Sequence, residues 1–372
     1  MWRVKLFETR PGTETFDVSQ LVSAASWTAR LNGQGTASHT LKLHGSDLRG
    51  DLLREVTRGN KYTVVQLWGD TVVYAGVLGD SDWDEASSTL TLQSKELRAS
   101  LAAARATFGV NQYNPSAVAL TITARSHGGA VRVVGTAIQS PSSEWNLNLT
   151  LPPMDAGSFS AVFRHEEKLT FENMLAQIEA DGCEITFRPY LINGVLWWQV
   201  LVAERLQLGT ATDLAARAPG SIVTDLKVKT STATLATGVL AFGKGQGQDT
   251  PYAYAPLSGS GATDQPVRDV IVTFPDIEAI PGAIAPGRPG YTAPPRLQAA
   301  ANAEYARRRL PVDQWSFGLQ VYALGPGLAL PGSALRLWVY GSARIADGAH
   351  LKRVVALAGD LSMKVTPEVQ DG

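Results

Sequence analysis

The sequence predicts a mainly β fold with an α+β insertion, and three observations indicate it. Apolar Trp2, Val4 and Leu6 alternate with charged residues, which is the period-two pattern of a strand with one buried face. Glycine (35 residues) and proline (20) are frequent, which favours turns and short strands over long helices. Only 18% of the 372 residues are charged, below the roughly 25% of an average soluble domain. A surface so poor in charge is expected to lie partly against partner subunits.

The first predicted domain, residues 1–104, is a meander of short strands. Its strand-like runs lie at 2–6, within 18–43, and at 62–68, 71–78 and 89–93. A turn at Gly69-Asp70 and a polar loop at 79–88 separate the last three runs, as expected for hairpins. A short amphipathic segment, 95–105, closes the domain.

The second predicted domain, residues 105–215, is an α+β module in which a helix packs on a hairpin. Thr170 is placed as the N-cap of a helix at 170–181, with Asn173 where a capping box usually has Glu or Gln. Gly182 is a natural stop. The apolar stripe of the helix has i, i+3, i+4, i+7 spacing: Phe171, Met174, Leu175 and Ile178. The hairpin at 184–202 turns at Asn193-Gly194, a strong hairpin signal.

The third predicted domain, residues 216–372, returns to β character. Strands are expected at 222–229, 237–242, 315–322, 334–343, 351–357 and 359–369. Two long loops are predicted, at 243–266 (rich in Gly, Ser, Gln and Thr) and at 275–295 (six prolines). A helix at 295–309 begins with proline and ends in arginines, and both suit helix termini.

Composition excludes several classes of protein. The net charge of −1 does not support a dedicated nucleic-acid or anionic-membrane binder. The single cysteine, Cys183, excludes an intrachain disulfide and is expected to be a small buried hydrophobe. The longest apolar run, 195–203, is far shorter than the ~20 residues of a membrane helix. The opening residues are strand-like, so we expect synthesis in the cytoplasm without an export signal.

His165-Glu166-Glu167-Lys168 looks like the start of a zinc-protease helix. That motif needs a second histidine at position 169, where this chain has leucine. We expect a surface turn with salt bridges instead. The five histidines, at 39, 44, 127, 165 and 350, have no metal-ligand spacing with the cysteine.

Two other segments fail as ligand motifs. The run 238–245 resembles a phosphate-binding loop, but Gly245 replaces the required hydroxyl and the intervening residues form an apolar strand. The run 80–85 alternates carboxylates as a calcium loop does, but it has Glu85 in place of the glycine and Thr91 in place of the final glutamate. A flexible turn is expected at 243–248, after the apolar strand, and a polar hairpin loop is expected at 80–85.

Tryptophan and arginine clusters leave two alternatives open. The nine tryptophans serve either as core and interface anchors or as sugar-binding residues, and the first use is commoner in a β-rich chain. Arg307-Arg308-Arg309 either complements the dipole of its own helix or contacts a nucleic acid or an acidic partner. We therefore predict no catalytic residue, no metal ligand, no cofactor-binding residue and no cofactor.

Both ends of the chain resemble the minor tail and baseplate-hub proteins of long-tailed bacteriophages. The residues that carry the resemblance are 22–43, Gly76-Val77-Leu78, 90–98, the helix before Arg307, Pro331-Gly332-Ser333, 345–348 and 353–362. The resemblance implies two tube-forming β-barrel domains per subunit. It implies a homotrimer whose six barrels form a hub ring between the tail tube and the distal tip.

The same resemblance implies the partners and the place of action. The lumen would pass the tape-measure protein and then DNA, without specific binding of the DNA. Other expected partners are the distal tail protein and tip or fibre proteins, and the protein would reside in the virion tail tip and have no enzymatic activity. Two alternatives remain: a distal tail or receptor-binding protein that attaches fibres, and a tail-associated cell-wall hydrolase.

Overall fold

The computed structural model describes residues 1–105, 119–139, 147–231, 235–256, 267–280, 282, 284–309, 312–322 and 325–371. The helices are α1 (Gly50–Val56), α2 (His127–Ile138), α3 (Phe171–Glu179) and α4 (Pro295–Arg308). The strands are β1 (Trp2–Glu8), β2 (Glu14–Asp17), β3 (Val22–Arg30), β4 (Thr36–Lys42), β5 (Tyr62–Trp68), β6 (Thr71–Asp84), β7 (Thr89–Lys95), β8 (Ala119–Arg125), β9 (Leu149–Thr150), β10 (Phe159–Arg164), β11 (Glu184–Ile192), β12 (Val195–Ala203), β13 (Leu208–Ala215), β14 (Val223–Ser231), β15 (Gly238–Lys244), β16 (Tyr252–Ala255), β17 (Asp269–Glu278), β18 (Val312–Gln320), β19 (Ser333–Val339), β20 (Gly348–Gly359) and β21 (Lys364–Asp371). The predicted mainly β class with an α+β insertion is confirmed.

Thirteen strands form one large sheet. Its order is β14-β18-β21-β20-β3-β4-β7-β6-β5-β1-β2, and β19 and β13 branch from β20. Strands from the two ends of the chain meet where β20 pairs antiparallel with β3. At this seam Gly359 lies opposite Trp27, and a Cβ on the glycine would come within 2.7 Å of the indole ring. A side chain at position 359 would therefore push the two groups of strands apart.

The N-terminal strands are buried on both faces. One face encloses a core made by β1, β4, β5, β6 and β7, whose members include Val4, Leu6, Leu41, Tyr62, Val64, Leu78, Leu90 and Leu92. The opposite face packs against the α+β module through Phe7, Val65, Leu67, Val72, Ala75 and Val77. Neighbouring residues Val64 and Val65 therefore belong to different cores, because side chains alternate across a strand. This explains why β5 is a nearly continuous apolar run.

The α+β module contains the predicted helix on its predicted hairpin. Thr170 caps α3 by accepting a hydrogen bond from the Asn173 N–H (3.2 Å), and the Asn173 side chain accepts one from the Thr170 N–H (2.9 Å). The asparagine thus completes a capping box in place of Glu or Gln. The predicted stripe of four apolar residues is fully buried. Gly182 follows the helix with a φ of +101°, and β11 pairs with β12 through the turn at Asn193-Gly194.

The structure corrects several predicted boundaries. Residues 79–88 are not all loop, because β6 continues to Asp84 and pairs with β7. The predicted loop 243–266 contains β16, and the predicted loop at 275–295 begins inside β17. The predicted strand at 334–343 ends at Val339, because Gly341 turns with a φ of +64°. The last strand starts at Lys364 rather than at 359.

Helices α1 and α2 and strands β2, β8, β9, β10 and β13 have no counterpart among the predicted elements. Parts of other predictions lie outside the described residues: 106–118 and 140–146 of the predicted module, 257–266 of the first loop, 281 and 283 of the second, and 232–234, 310–311, 323–324 and 372 of the third domain.

The chain divides into two compact units. The first comprises residues 1–227 and 316–372, and the second comprises residues 228–315. In the second unit, β16-β15-β17 form a small sheet. One face of this sheet packs on α4 through small residues such as Ala241 and Ala253, which lie against Leu297 and Ala301. The domain boundaries near residues 104 and 215 stay predictions.

Within the described ranges, the search for membrane-spanning helices finds none of sufficient length and apolarity.

Candidate interaction surface

The zinc-protease-like segment is a short surface turn in which a histidine contacts a glutamate. His165–Glu167 form one 3₁₀ turn before α3, and His165 Nδ1 lies 3.0 Å from Glu166 Oε2. The expected surface turn is confirmed. The described residues contain no cluster of three or more His, Cys, Asp or Glu side chains that could hold a metal ion.

The two other ligand-like segments are strands. The phosphate-loop-like run is β15, an apolar strand that ends in an ion pair between Lys244 Nζ and Glu278 Oε1 (2.8 Å). The calcium-loop-like run lies mostly on β6, and the Asp84 carboxylate accepts hydrogen bonds from the Ala86 N–H (2.9 Å) and the Ser87 hydroxyl (2.6 Å). In both segments the polar side chains named here form contacts within the strand or the turn.

Cys183 is buried, as predicted. Its thiol donates to the Ile178 carbonyl (3.5 Å), and burial raises the pKa of the thiol to about 12. A thiol with this pKa is protonated at neutral pH and is a poor nucleophile.

Two arginines at the end of α4 form ion pairs with a glutamate of the same helix. Glu304 accepts from Arg307 (2.6 Å) and is also bonded to Arg308. This ion pairing and the position of the arginines in the last turn favour the self-complementing helix end over a nucleic-acid contact.

One charged cluster is buried in the first unit. The guanidinium of Arg98, only 2% exposed, donates to Glu172 (2.6 and 2.9 Å) and to Glu179 (2.8 Å). A fifth hydrogen bond reaches the Ile185 carbonyl (2.8 Å). Every N–H direction of the fork is thereby used to join the turn after β7 to α3 and β11. The cluster therefore stabilises the packing of these three segments, and its guanidinium has no N–H group left to bind a ligand.

Further candidates for an interaction surface are the edges of the large sheet and of the small sheet in the second unit. An unpaired edge presents backbone N–H and C=O groups to other chains, and proteins commonly protect such edges with charges, bulges or short strands. These two sheets end at five strands: β2, β13 and β14 in the large sheet, and β16 and β17 in the small one.

Three of the five edges are protected. Strand β2 has only four residues, two of them acidic and ion-paired with Lys5. Strand β14 exposes Lys227 and Lys229 and contains a left-handed residue, Asp225 (φ 53°). On β16, side chains cap the backbone: the Tyr291 hydroxyl bonds both the N–H and the carbonyl of Tyr252, and Gln298 Nε2 donates to the Tyr254 carbonyl.

Strands β13 and β17 are open edges. Each pairs on one side only among the described residues, β13 in parallel with β19 and β17 in parallel with β15. The sequence of β13, Leu-Gly-Thr-Ala-Thr-Asp-Leu-Ala, has no lysine and no proline. The regular part of β17 carries Ile271 on its exposed face, with 68% of its surface accessible.

An exposed aromatic pair borders β13. Trp338 (38% exposed) and Tyr340 (59% exposed) have ring planes 15° apart and centroids 6.4 Å apart. The indole is fixed, since Trp338 Nε1 donates to Asp213 Oδ1 on β13 (2.9 Å). Arg336 pairs with the same carboxylate (3.2 Å). Fixed, exposed aromatic and arginine side chains are the residue types enriched in protein interfaces.

We call the open edge of β13 together with Trp338 and Tyr340 the β13 surface, and the open edge of β17 with Ile271 the β17 surface. Sequence reasoning missed both. The only available signal was the absence of lysine and proline in 208–215, which indicates an edge only once the pairing of the strand is known.

Comparison with solved structures finds the same fold in three tail proteins. A tail protein from Neisseria meningitidis MC58 is 13% identical, with a TM-score of 0.58, and the alignment covers 100% of this chain and 96% of that one. The 43 kDa tail protein of prophage MuSo2 from Shewanella oneidensis is 10% identical, with a TM-score of 0.61 and coverage of 99% and 98%. Prophage tail protein gp18 from Listeria monocytogenes EGD-e is 9% identical, with a TM-score of 0.51 and coverage of 98% and 94%.

No protein-family model matches the sequence, and the search of curated proteins finds no match. The resemblance to phage tail proteins expected from the sequence is confirmed at the level of the fold, and it extends over the whole chain.

Proposed function

We propose that this chain is a structural subunit of a bacteriophage tail tip, a hub that forms a homotrimeric ring between the tail tube and the distal tip. One observation carries the proposal. Strands from both ends of the chain build two groups within one sheet, joined at the β3·β20 seam, and the whole chain shares its fold with tail proteins.

Two groups of strands per subunit suit a change of symmetry. Three subunits with two comparable sheet segments each present six segments around an axis, which can match a sixfold tube on one side and a threefold tip on the other. Closing the ring would also satisfy the backbone groups of the open edges. The predicted division of each subunit at about residues 104 and 215 belongs to this proposal.

The charge balance suits a conduit. A protein that grips DNA neutralises phosphates with clustered Lys and Arg, whereas this chain has 33 basic and 34 acidic residues. We propose that the lumen passes the tape-measure protein and then DNA without specific binding. The distal tail protein and tip or fibre proteins would bind the two ends of the ring in the virion.

The mass of the purified protein in solution tests the proposal. Light scattering after size exclusion should give about 119 kDa, three times the subunit mass of 39.7 kDa, and imaging should show a central channel. A hexamer would contradict the hub and favour the distal-tail protein. A clearing zone around the protein in a gel containing purified cell wall would contradict a purely structural role.

A further inference from the structure

We propose that the ring closes by strand addition between two different edges, the β13 surface of one copy and the β17 surface of a second copy of this chain. The inference rests on the proposed ring and names the contact that would close it. A contact between unlike surfaces is heterologous; repeating it generates a closed ring when the rotation between copies closes and an open filament when it does not. The proposed contact is the closing kind.

The backbone of β13 is oriented to accept a strand. The N–H of Ala216 donates to the Trp338 carbonyl on β19 (2.8 Å). Because N–H and C=O groups point to alternate sides along a strand, those of Asp213 and Ala215 point away from β19. The Ala215 carbonyl is taken by the Ser221 hydroxyl. Among the described residues, the Asp213 groups and the Ala215 N–H remain available at the open edge.

The backbone of β17 has the matching arrangement. The Arg268 carbonyl accepts from the Thr237 N–H on the β15 side (2.8 Å). The alternation then points the backbone groups of Asp269, Ile271 and Thr273 away from β15. These three residues lie in the stretch where β17 pairs regularly with β15. The two open edges therefore offer regular segments of similar length.

The choice of a second copy as the occupant follows from the other edges of these sheets. Strand β2 has only four residues, β14 exposes two lysines, and side chains cap the backbone of β16, all of which protect an edge against unwanted pairing. Among the described residues, protection of these three edges leaves two open ones in the large sheet and the small sheet of the second unit, one in each unit.

The side chains at the two open edges are compatible. Trp338 and Tyr340 provide an exposed aromatic surface next to one edge, and Ile271 provides an exposed aliphatic side chain on the other strand. In strand addition, main-chain hydrogen bonds give the affinity and neighbouring side chains give the specificity.

Two lysine substitutions on the full-length chain test this. Ala215→Lys places a charge on the exposed face of β13, and Ile271→Lys places one on β17. Each variant alone should have the mass of a monomer, 39.7 kDa, in light scattering after size exclusion. Thr15→Lys on the protected strand β2 is the matched control and should keep the mass of the wild-type protein.

Mixing the two variants is the decisive measurement. The Ala215→Lys copy keeps an intact β17 surface and the Ile271→Lys copy keeps an intact β13 surface, so one contact forms and no third copy can add. The mixture should give a dimer of about 79 kDa, twice 39.7 kDa. Dimer formation also proves that both variants are folded.

The outcomes separate the two proposals. A wild-type trimer that both lysine variants preserve would overturn the strand pairing and leave the hub intact. Monomeric variants whose mixture stays monomeric would overturn the heterologous contact. A wild-type chain that is monomeric at every concentration would overturn the ring, and this inference with it.

Discussion

Arg98 and Arg307 show how burial determines how much an ion pair contributes to the stability of this chain. Arg98 is almost fully enclosed and shares its guanidinium between two carboxylates that are themselves about four-fifths buried. Arg307 pairs with Glu304 at 2.6 Å while most of its side chain faces solvent. Removing one partner of a buried pair leaves charges without compensation, whereas an exposed pair exchanges its partner for water.

We expect Arg98→Met to lower the free energy of unfolding by about 3–5 kcal/mol, because Glu172 and Glu179 lose their shared partner in a mostly dry site. Arg307→Met should lower it by less than about 1 kcal/mol. Urea unfolding at neutral pH, followed by tryptophan fluorescence, measures both values. Equal losses in the two variants would contradict this role of Arg98.

Glu96 predicts a pH dependence of stability. Burial raises the pKa of its carboxyl to about 8, although the N–H groups of Gly35 (2.5 Å) and Arg30 (3.3 Å) donate to it and act in the opposite direction. The ordinary pKa of the group is 4.5. Between these values the unfolded chain is ionised while the folded chain holds the proton, so stability falls as pH rises.

Glu96→Gln should remove that dependence. The variant should gain stability over the wild-type protein progressively from about pH 5 to about pH 8, with no further gain at higher pH. Thermal or urea midpoints of both proteins across this range give the difference directly. A difference that stays constant over the whole range would contradict the raised pKa.

Elements with strong local signals were predicted well from the sequence. Helix α3 has a cap, a stripe of four buried residues and a glycine stop within thirteen positions, and the hairpin after it has an Asn-Gly turn. Helix α2 was not predicted although the Ser126 side chain caps it, because its three glycines lower helix propensity. Its Gly135 allows Leu151 to approach, since a Cβ there would lie 2.6 Å from the Leu151 side chain.

The candidate surfaces were not predictable, for a different reason. An edge is defined by which strands pair, and β13 pairs with β19, more than a hundred residues later in the chain. The exposure of Trp338 also depends on its position beside that edge, whereas Trp27 and Trp198 are buried as the sequence suggested. Local patterns record period and turns but not partners across such distances.

The interface between α4 and its sheet depends on small side chains. Ala301 is buried against Ala241, Ala253 and Ala255, which leaves no room for a larger residue. We expect Ala301→Leu to lower the free energy of unfolding of this unit by about 1–3 kcal/mol through overpacking. Ala306→Leu, on the exposed side of the same helix, should have little effect.

Hydrogen exchange in peptides from β15 and β16 measures the effect locally. Faster exchange in the Ala301→Leu variant and unchanged exchange in the Ala306→Leu variant is the expected result. Identical exchange in both variants would show that α4 does not pack closely on this sheet.

At the scale of the whole molecule, the large sheet can be completed only when the end of the chain is present. Strand β20 supplies partners to β3, β19 and β21, so it lies at the centre of the sheet order although it is among the last strands in sequence. The chain instead enters the second unit at the end of β14 and returns from it at β18, and these two strands are neighbours in the large sheet. The Thr230 hydroxyl donates to Asp313 Oδ1 (2.5 Å) across these two strands.

These positions predict opposite results for two deletions. Replacing residues 232–311 by a short Gly-Ser linker joins two strand ends that are already adjacent, so β1–β7 should keep the slow hydrogen exchange that they have in the full chain. Deleting 348–371 removes fewer residues but takes β20 and β21 from the middle of the sheet, which exposes the edge of β3 and the indole of Trp27. Exchange in β3 and β4 should then be fast. The opposite pattern would be slow exchange in β3 after deletion of 348–371 and fast exchange after replacement of 232–311. In that case the seam between β3 and β20 would not hold the sheet together, and the two groups of strands would have to fold independently.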